Sequence, residues 1–300
     1  MSQPSRRTLL QSSLALAAGT SLGAAASAAS MSEENQQAAS QPGSNTKTRF
    51  AINIEMWGFG VPFMERFAKV AELGFPAVEF WPWRNKDLPA IKAACAEHGL
   101  EVAQFTAWGF VPGMNDPANH GRFVEEVKAS CAAAQSLGAR KATIVAGNDI
   151  QGVSQAEMHQ AVIKGLKLAA PIAEDADVML ILEPMNIRRD HKGHCLYGSP
   201  DAVRICREVD STHVKINWDL YHMQISEGDL CGRLREGFDQ VGYLQLADHP
   251  GRREPGTGEI YYPRVLKEAW ELGYRDYVGA ECSPTEPLVA AQRLAAAGSW

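Results

Sequence analysis

The sequence is short of several things, and each shortage excludes something. Beyond its first thirty residues no stretch reaches the roughly 18 uninterrupted apolar residues of a membrane-crossing helix, so no span is expected in the mature chain. Six cysteines in 300 residues are too sparse for a disulfide scaffold, and their spacing fixes no pairing. Basic charge is in deficit: 29 Lys and Arg face 35 Asp and Glu, a net charge of −6. A nucleic-acid partner is therefore not expected, because neutralising phosphates takes a Lys/Arg-rich face. The first strand candidate runs into Glu55-Met56-Trp57-Gly58 rather than a glycine-rich phosphate turn, which argues against an open dinucleotide-binding sheet. The eight histidines show no zinc pattern, since His191-x-x-His194 has the wrong spacing for one helical face and sits in a Gly-containing loop. What remains, 45% hydrophobic and 21% charged, is ordinary globular composition with room for a sizeable core.

The amino terminus reads as an address. Ser5-Arg6-Arg7-Thr8-Leu9-Leu10 precedes a small-residue, weakly apolar stretch over 14–26, and Ala24-Ala25-Ala26 and Ala26-Ser27-Ala28 both offer small-x-small cleavage sites. This resembles a twin-arginine export signal over 1–29, which implies a periplasmic or otherwise exported protein. The alternative is an uncleaved signal that anchors the chain to a membrane. Residues 30–47, rich in Ser, Gln, Asn and Glu, have little to bury and read as a flexible linker, leaving 48–300 as the folded domain.

That domain counts to eight. Strand-like runs at 50–54, 77–80, 101–105, 142–146, 178–182, 214–218, 241–246 and 277–280 alternate with amphipathic stretches. Phe63, Phe67, Val70 and Ala71 share one helical face, as do Phe123, Val127 and Cys131, and Met158, Val162, Leu166 and Ala169. Ser199-Pro200-Asp201 and Thr285-Glu286-Pro287 read as capped helix starts. Eight alternations over about 250 residues predict a single-domain α/β fold, the (β/α)8 barrel.

In such a barrel chemistry collects at the carboxyl ends of the strands. Four oxygen-bearing side chains close apolar runs there: Glu183, Asp219, Gln245 and Glu281, at intervals of 36, 26 and 36 residues. These bracket the roughly 31 residues expected per βα unit. Carboxylates crowded together survive burial only when paired or bound to a cation. An all-oxygen set suits a hard divalent ion such as Mn²⁺ or Mg²⁺ better than zinc. Trp57, Trp81, Trp83 and Trp108 follow strands one to three, with Phe59, Phe110 and Trp218 nearby, and predict an aromatic wall or packing beneath the loops. Cys282 follows Glu281, and strand alternation turns it away from the site, so no catalytic thiol is expected.

Glu183-Pro184-Met185-Asn186, Asp219-Leu220-Tyr221-His222-Met223-Gln224, the run from Gly242 through Pro250-Gly251-Arg252 to Glu254-Pro255-Gly256-Thr257-Gly258-Glu259, and Gly279-Ala280-Glu281-Cys282-Ser283-Pro284 together resemble the hydroxypyruvate isomerase family, within the xylose-isomerase-like barrels. The resemblance extends over 49–297. It implies a metal held by Glu183, Asp219, Gln245 and Glu281, substrate contacts from His222 and Arg252, and catalysis by Glu183 and Glu281 on opposite faces of a small hydroxy-carbonyl acid. Asn186 and Trp108 complete the expected substrate contacts. Related ketose 3-epimerases usually have histidine where Gln245 stands, so the amide favours the isomerase branch. Two departures flank the site, the segment 108–117 and Cys282 in place of the usual aromatic residue.

The leading expectation is thus an isomerase that interconverts hydroxypyruvate and tartronate semialdehyde, or a similar acid, through an enediolate. Its rivals are a ketose 3-epimerase or sugar isomerase on the same site, and a non-catalytic periplasmic barrel that binds a sugar. Exposed loop aromatics leave a homo-oligomer open.

Overall fold

The apolar runs form parallel strands whose two faces are both buried, as strands enclosed by helices require. In the computed structural model, which describes residues 41–300, they are β1 Arg49–Asn53, β2 Ala77–Phe80, β3 Glu101–Trp108, β4 Lys141–Val145, β5 Met179–Glu183, β6 Val214–Asp219, β7 Val241–Leu246 and β8 Tyr277–Ala280. Each is bonded to the next and β8 pairs with β1, so the sheet closes into the expected eight-stranded barrel. The helices are α1 Arg66–Glu72, α2 Leu88–His98, α3 His120–Leu137, α4 Gln155–Ala176, α5 Ser199–Val209, α6 Leu220–Ser226, α7 Leu230–Gly237, α8 Tyr262–Glu271 and α9 Pro287–Ala297. Among the described residues no helix is long and apolar enough to cross a membrane. The expected export signal and the linker as far as residue 40 lie outside the described residues.

Strand bounds match the sequence reading to within one residue except for β3, which runs on to Trp108. Residues 41–47, read as the end of a linker, belong to the barrel unit instead. Pro42–Ser44 form a 3-10 turn in which Pro42 and Gly43 are buried, and the Gly43 N–H donates to the Leu73 carbonyl. The polar composition hid this anchor because it rests on two small residues. The helix starts also differ in detail. Ser199 is already helical, its N-cap is Gly198, and Glu227 accepts the Ser199 N–H at 3.2 Å. At α9 the Glu286 carboxylate caps, accepting from the N–H groups of Leu288 and Val289.

Strand alternation sorts the barrel interior into layers. At the bottom lie Ala51, Ala77, Ala103, Ile181, Tyr243 and Tyr277, a small apolar cluster. Two residues further along their strands come Asn53, Glu79, Glu183, Gln245 and Gly279, with Thr143 and Asn217 from β4 and β6. The side chains of this polar layer are buried. The odd member is Gly279. A Cβ there would sit 2.3 Å from Glu79 Oε2 and 2.9 Å from Gln245 Cγ, so glycine makes the room that lets a carboxylate occupy the barrel axis. Gly279→Ala is expected to cost on the order of 1–3 kcal/mol by overpacking, read as a lower urea midpoint with unchanged slope. An unchanged midpoint would mean that Glu79 can move aside.

Candidate active site

Four consecutive strands deliver the four oxygen-bearing groups to one end of the barrel. Glu183 and Asp219 are the last residues of β5 and β6, Gln245 is the last but one of β7, and Glu281 follows β8 directly. Asp219 pairs in register with Gln245, and Gln245 with Gly279. Glu183, Gln245 and Glu281 line a cavity of about 350 Å³ together with Trp81, Phe110, Met185, His191, His222 and Arg252, and Asp219 is buried beside it.

Each carboxylate has a different environment. Glu281 is pinned: Oε1 accepts from Trp81 Nε1 at 2.8 Å and from Asn53 Nδ2 at 3.4 Å, and Oε2 accepts from Arg252 Nη2 at 2.6 Å. Asp219 accepts the Tyr221 N–H at 2.8 Å and lies 3.4 Å from Arg252. Burial pushes its carboxyl up to about 7, with Arg252 opposing and Glu281 adding to the rise. Glu183 has no hydrogen-bond donor among the described residues. Burial, then Glu281 and Asp219, hold its carboxyl well above the usual range, with Arg252 opposing. Burial works against the Arg252 guanidinium, but Glu281, Asp219 and Glu183 keep it firmly charged.

Arg252 reaches the cavity because its loop is held from behind. Its backbone is left-handed at φ 53°, a strained position for a residue other than glycine. Asp248 stabilises the loop by accepting five backbone N–H groups, from His249, Gly256, Thr257, Gly258 and Ile260. Glu254 and Glu259, the sequence alternatives for an Arg252 partner, are engaged elsewhere, with Thr285 and Arg293 and with Gln224. The guanidinium Nε is buried without a partner among the described residues.

His222, on α6, is fully buried. Its Nε2 lies 3.8 Å from Glu183 and 3.5 Å from Asp219, with no hydrogen bond among the described residues. Glu183, Asp219 and His222 therefore form a close three-residue group that could hold a metal. The other ring nitrogen decides which role the imidazole can take. Asn186 Oδ1 accepts two backbone N–H groups, of Arg189 and Asp190, both at 3.1 Å, which fixes the amide orientation. Asn186 Nδ2 then donates to Asp190 Oδ2 at 2.8 Å and faces His222 Nδ1 at 2.7 Å. An N–H facing Nδ1 makes it the acceptor, so the proton of the neutral ring sits on Nε2. Burial, followed by Arg252, keeps the ring neutral by lowering its pKa well below the usual value. His222 is thereby an N–H donor aimed into the site rather than a lone pair for a metal.

Beneath lies a layer that sequence reasoning missed. Glu79 accepts from Tyr243 Oη at 2.8 Å, Gln245 Nε2 at 2.8 Å and Asn53 Nδ2 at 3.1 Å. Burial and then Glu281 push it up to about 7 against those three hydrogen bonds. Asn217 Nδ2 donates to Gln245 Oε1 at 2.7 Å. The Gln245 carboxamide is thus oriented by two neighbours, and its oxygen keeps a second lone pair.

Of the expected substrate contacts, His222 and Arg252 face the cavity. Asn186 lies behind His222 and sets its tautomer. Trp108 is not among the cavity-lining residues: it packs edge-on against Phe123 of α3 at 5.3 Å. A register shift between Thr106 and Trp108 breaks the alternation, so Thr106 lines the cavity and the indole does not. Cys282 is buried, and burial pushes its thiol up to about 12, which suits an inert packing role.

Residues 67–297 match the family model described as xylose isomerase-like TIM barrel. The chain is 32% identical over 251 residues to hydroxypyruvate isomerase of Escherichia coli K12, covering 82% of this chain and 97% of that protein. It is 31% identical over 243 residues to 2-oxo-tetronate isomerase of Cupriavidus necator, covering 79% and 93%. Among solved structures, AP endonuclease, family 2 from Brucella melitensis superposes with a TM-score of 0.76 at 27% identity, covering 81% of this chain and 96% of that one.

Proposed function

The chain belongs to the xylose isomerase-like TIM barrel family and is an isomerase, and from that premise we propose that it moves a carbonyl between adjacent carbons of a small hydroxy-keto acid with a divalent ion, Mn²⁺ or Mg²⁺, as cofactor. The observation that carries this reading is the convergence of Glu183, Gln245 and Glu281 on one cavity with Asp219 buried beside it, where Arg252 is the only Lys or Arg among the described lining residues. Three buried carboxylates against one guanidinium ionise together only with a further cation among them, and hard oxygen donors are the ligands such an ion takes. The four residues fit it. Bound there, the ion would supply Lewis-acid polarisation of neighbouring carbonyl and hydroxyl oxygens.

The side chains divide the remaining work. Glu183 has no hydrogen-bond donor among the described residues to compete for its oxygens and faces the cavity, so it takes the proton from carbon. Glu281, held by Trp81 and Arg252, returns a proton taken from solvent to the adjacent carbon, Glu183 releases the abstracted proton to solvent between turnovers, and the substrate's hydroxyl proton passes to the former carbonyl oxygen. The His222 Nε2–H donates to the substrate oxygen on which charge accumulates as the enediolate forms. Arg252, with its unpartnered Nε, grips the substrate carboxylate. Trp81, Phe110 and Met185 exclude water from the enediolate.

The test is direct. Metal-loaded protein incubated with hydroxypyruvate should produce tartronate semialdehyde, followed by NMR. Absence of product with several metals would remove hydroxypyruvate as substrate. Arg252→Ala should lower kcat/KM for the acid by at least about 100-fold, as expected for loss of a buried charged hydrogen bond, while a neutral ketose loses far less. Equal losses on both would favour the epimerase reading. A nuclease reading is disfavoured by the net charge of −6 and by a cavity without a basic stripe to hold a phosphate backbone.

A further inference from the structure

His191 stands in the wall of the same cavity and has no part in the chemistry above. Its ring stacks on Phe110 at a centroid distance of 4.9 Å and an interplanar angle of 17°, and meets His222 at 5.2 Å and 65°. The backbone on either side is fixed, since the His191 N–H donates to the Asn186 carbonyl and the His191 carbonyl accepts from His194 N–H, both at 3.1 Å. The four buried histidines each have a ring nitrogen engaged: His222 with Asn186, His194 with the Leu196 carbonyl, His159 with the Cys195 carbonyl and His120 with the Met114 carbonyl. Neither ring nitrogen of His191 has a hydrogen-bond partner among the described residues. Burial and then Arg252 lower its pKa, so near neutrality the ring offers one N–H and one lone pair to whatever fills the cavity.

The size of the cavity says what that is. At roughly 30 Å³ per water, about 350 Å³ holds about a dozen waters, several times what a three-carbon acid displaces. Much of the remaining lining is apolar, with Pro82, Phe110, Val145 and Met185, and His191, stacked on Phe110, adds ring nitrogens that have no partner among the described residues. Such a wall suits the C–H faces of a polyol chain, and a neutral imidazole can both give to and take from a hydroxyl.

We propose that His191 is a specificity-determining substrate contact that binds a hydroxyl on the chain beyond the two carbons that isomerise, so that the preferred substrates are polyhydroxylated hydroxy-keto acids of four or more carbons. This rests on the isomerase reading. The variant His191→Phe keeps a ring stacked on Phe110 and removes both nitrogens. Binding to manganese-loaded protein is measured by calorimetry with two acids that cannot isomerise, three-carbon glycerate and six-carbon gluconate. Wild type should bind gluconate more tightly, and His191→Phe should lose about tenfold for gluconate and less than about twofold for glycerate, the worth of one hydrogen bond. In turnover, kcat/KM for 2-oxo-tetronate should fall by a similar factor, mainly through KM, with hydroxypyruvate unaffected. Equal effects on short and long acids, no effect on either, or no preference for gluconate in wild type would overturn the contact. If that binding pattern holds but wild type isomerises neither keto acid, the isomerase reading falls and the contact stands. If turnover occurs but the variant treats both lengths alike, the contact falls alone.

Discussion

Replacing Asn186 with aspartate should lower kcat by about 10²–10⁴-fold, the range associated with losing a positioned proton-transfer or hydrogen-bonding group. The side chain lies behind His222 and does not line the cavity, so a purely steric reading predicts almost nothing. The larger effect follows from the chain of bonds. Backbone N–H groups of Arg189 and Asp190 hold Asn186 Oδ1, which leaves Nδ2 to face His222 Nδ1 at 2.7 Å. Aspartate has no N–H to offer there. His222 then places its proton on Nδ1 and turns a lone pair towards Glu183 and Asp219. The donor for the developing oxyanion disappears, and a nitrogen joins the acidic set, so metal preference should shift towards zinc. Nitrogen NMR of the imidazole reports the tautomer without reference to activity. A variant with wild-type kcat and an inverted tautomer would show that His222 does not act as a donor.

The second large effect is on metal affinity. Burial and neighbouring carboxylates hold Asp219 at about 7 and Glu183 well above the usual carboxylate range. An ion must displace the protons these groups carry, so affinity falls tenfold per pH unit for each group that is protonated in the free protein. From pH 7 down to pH 5 the loss through Asp219 alone is about 50-fold, and the Glu183 proton makes it steeper. The sign for the metal-free protein is fixed by the same shifts. A carboxyl raised in the folded state contributes stability that is fully present below its unfolded pKa, near 4, and is lost as pH rises through about 7. Metal-free protein should thus become less stable between pH 5 and 8, and added manganese should reverse the trend. Calorimetric titration across that range, with proton release measured in buffers of different ionisation enthalpy, checks both. Affinity independent of pH would mean that the carboxylates are not the ligands.

The barrel and its acidic rim were legible because both depend on order along the chain. Eight apolar runs at βα spacing specify closure, and Glu183, Asp219 and Glu281 each end such a run, where alternation and burial leave few interpretations. The interior was not legible in the same way. Glu79 lies in Ala-Val-Glu-Phe, which reads as any half-buried strand. Only closure of the barrel, with Gly279 giving way opposite, makes that carboxylate part of the site's foundation. Trp108 failed for a local reason, since one register shift sent its indole towards α3 and gave its place to Thr106. His191 was judged only as one half of a zinc pair, a test it fails. Its stacking on Phe110 joins the third and fifth βα loops, a contact that spacing does not encode. Asn186 was expected to touch substrate, but its side chain lies behind His222, where the Arg189 and Asp190 N–H groups hold its oxygen and its amide nitrogen faces the imidazole.

The central claim is that Glu183, Asp219, Gln245 and Glu281 bind one divalent ion, with His222 and Arg252 left for substrate. Anomalous scattering from a crystal grown at pH 8 with excess manganese tests it most directly. The account predicts a single strong peak at the barrel mouth ligated by oxygens of those four residues, with His222 Nε2 outside the coordination sphere. A rim without a peak, or a peak held by Glu183, Asp219 and His222 with Gln245 and Glu281 turned away, would contradict it.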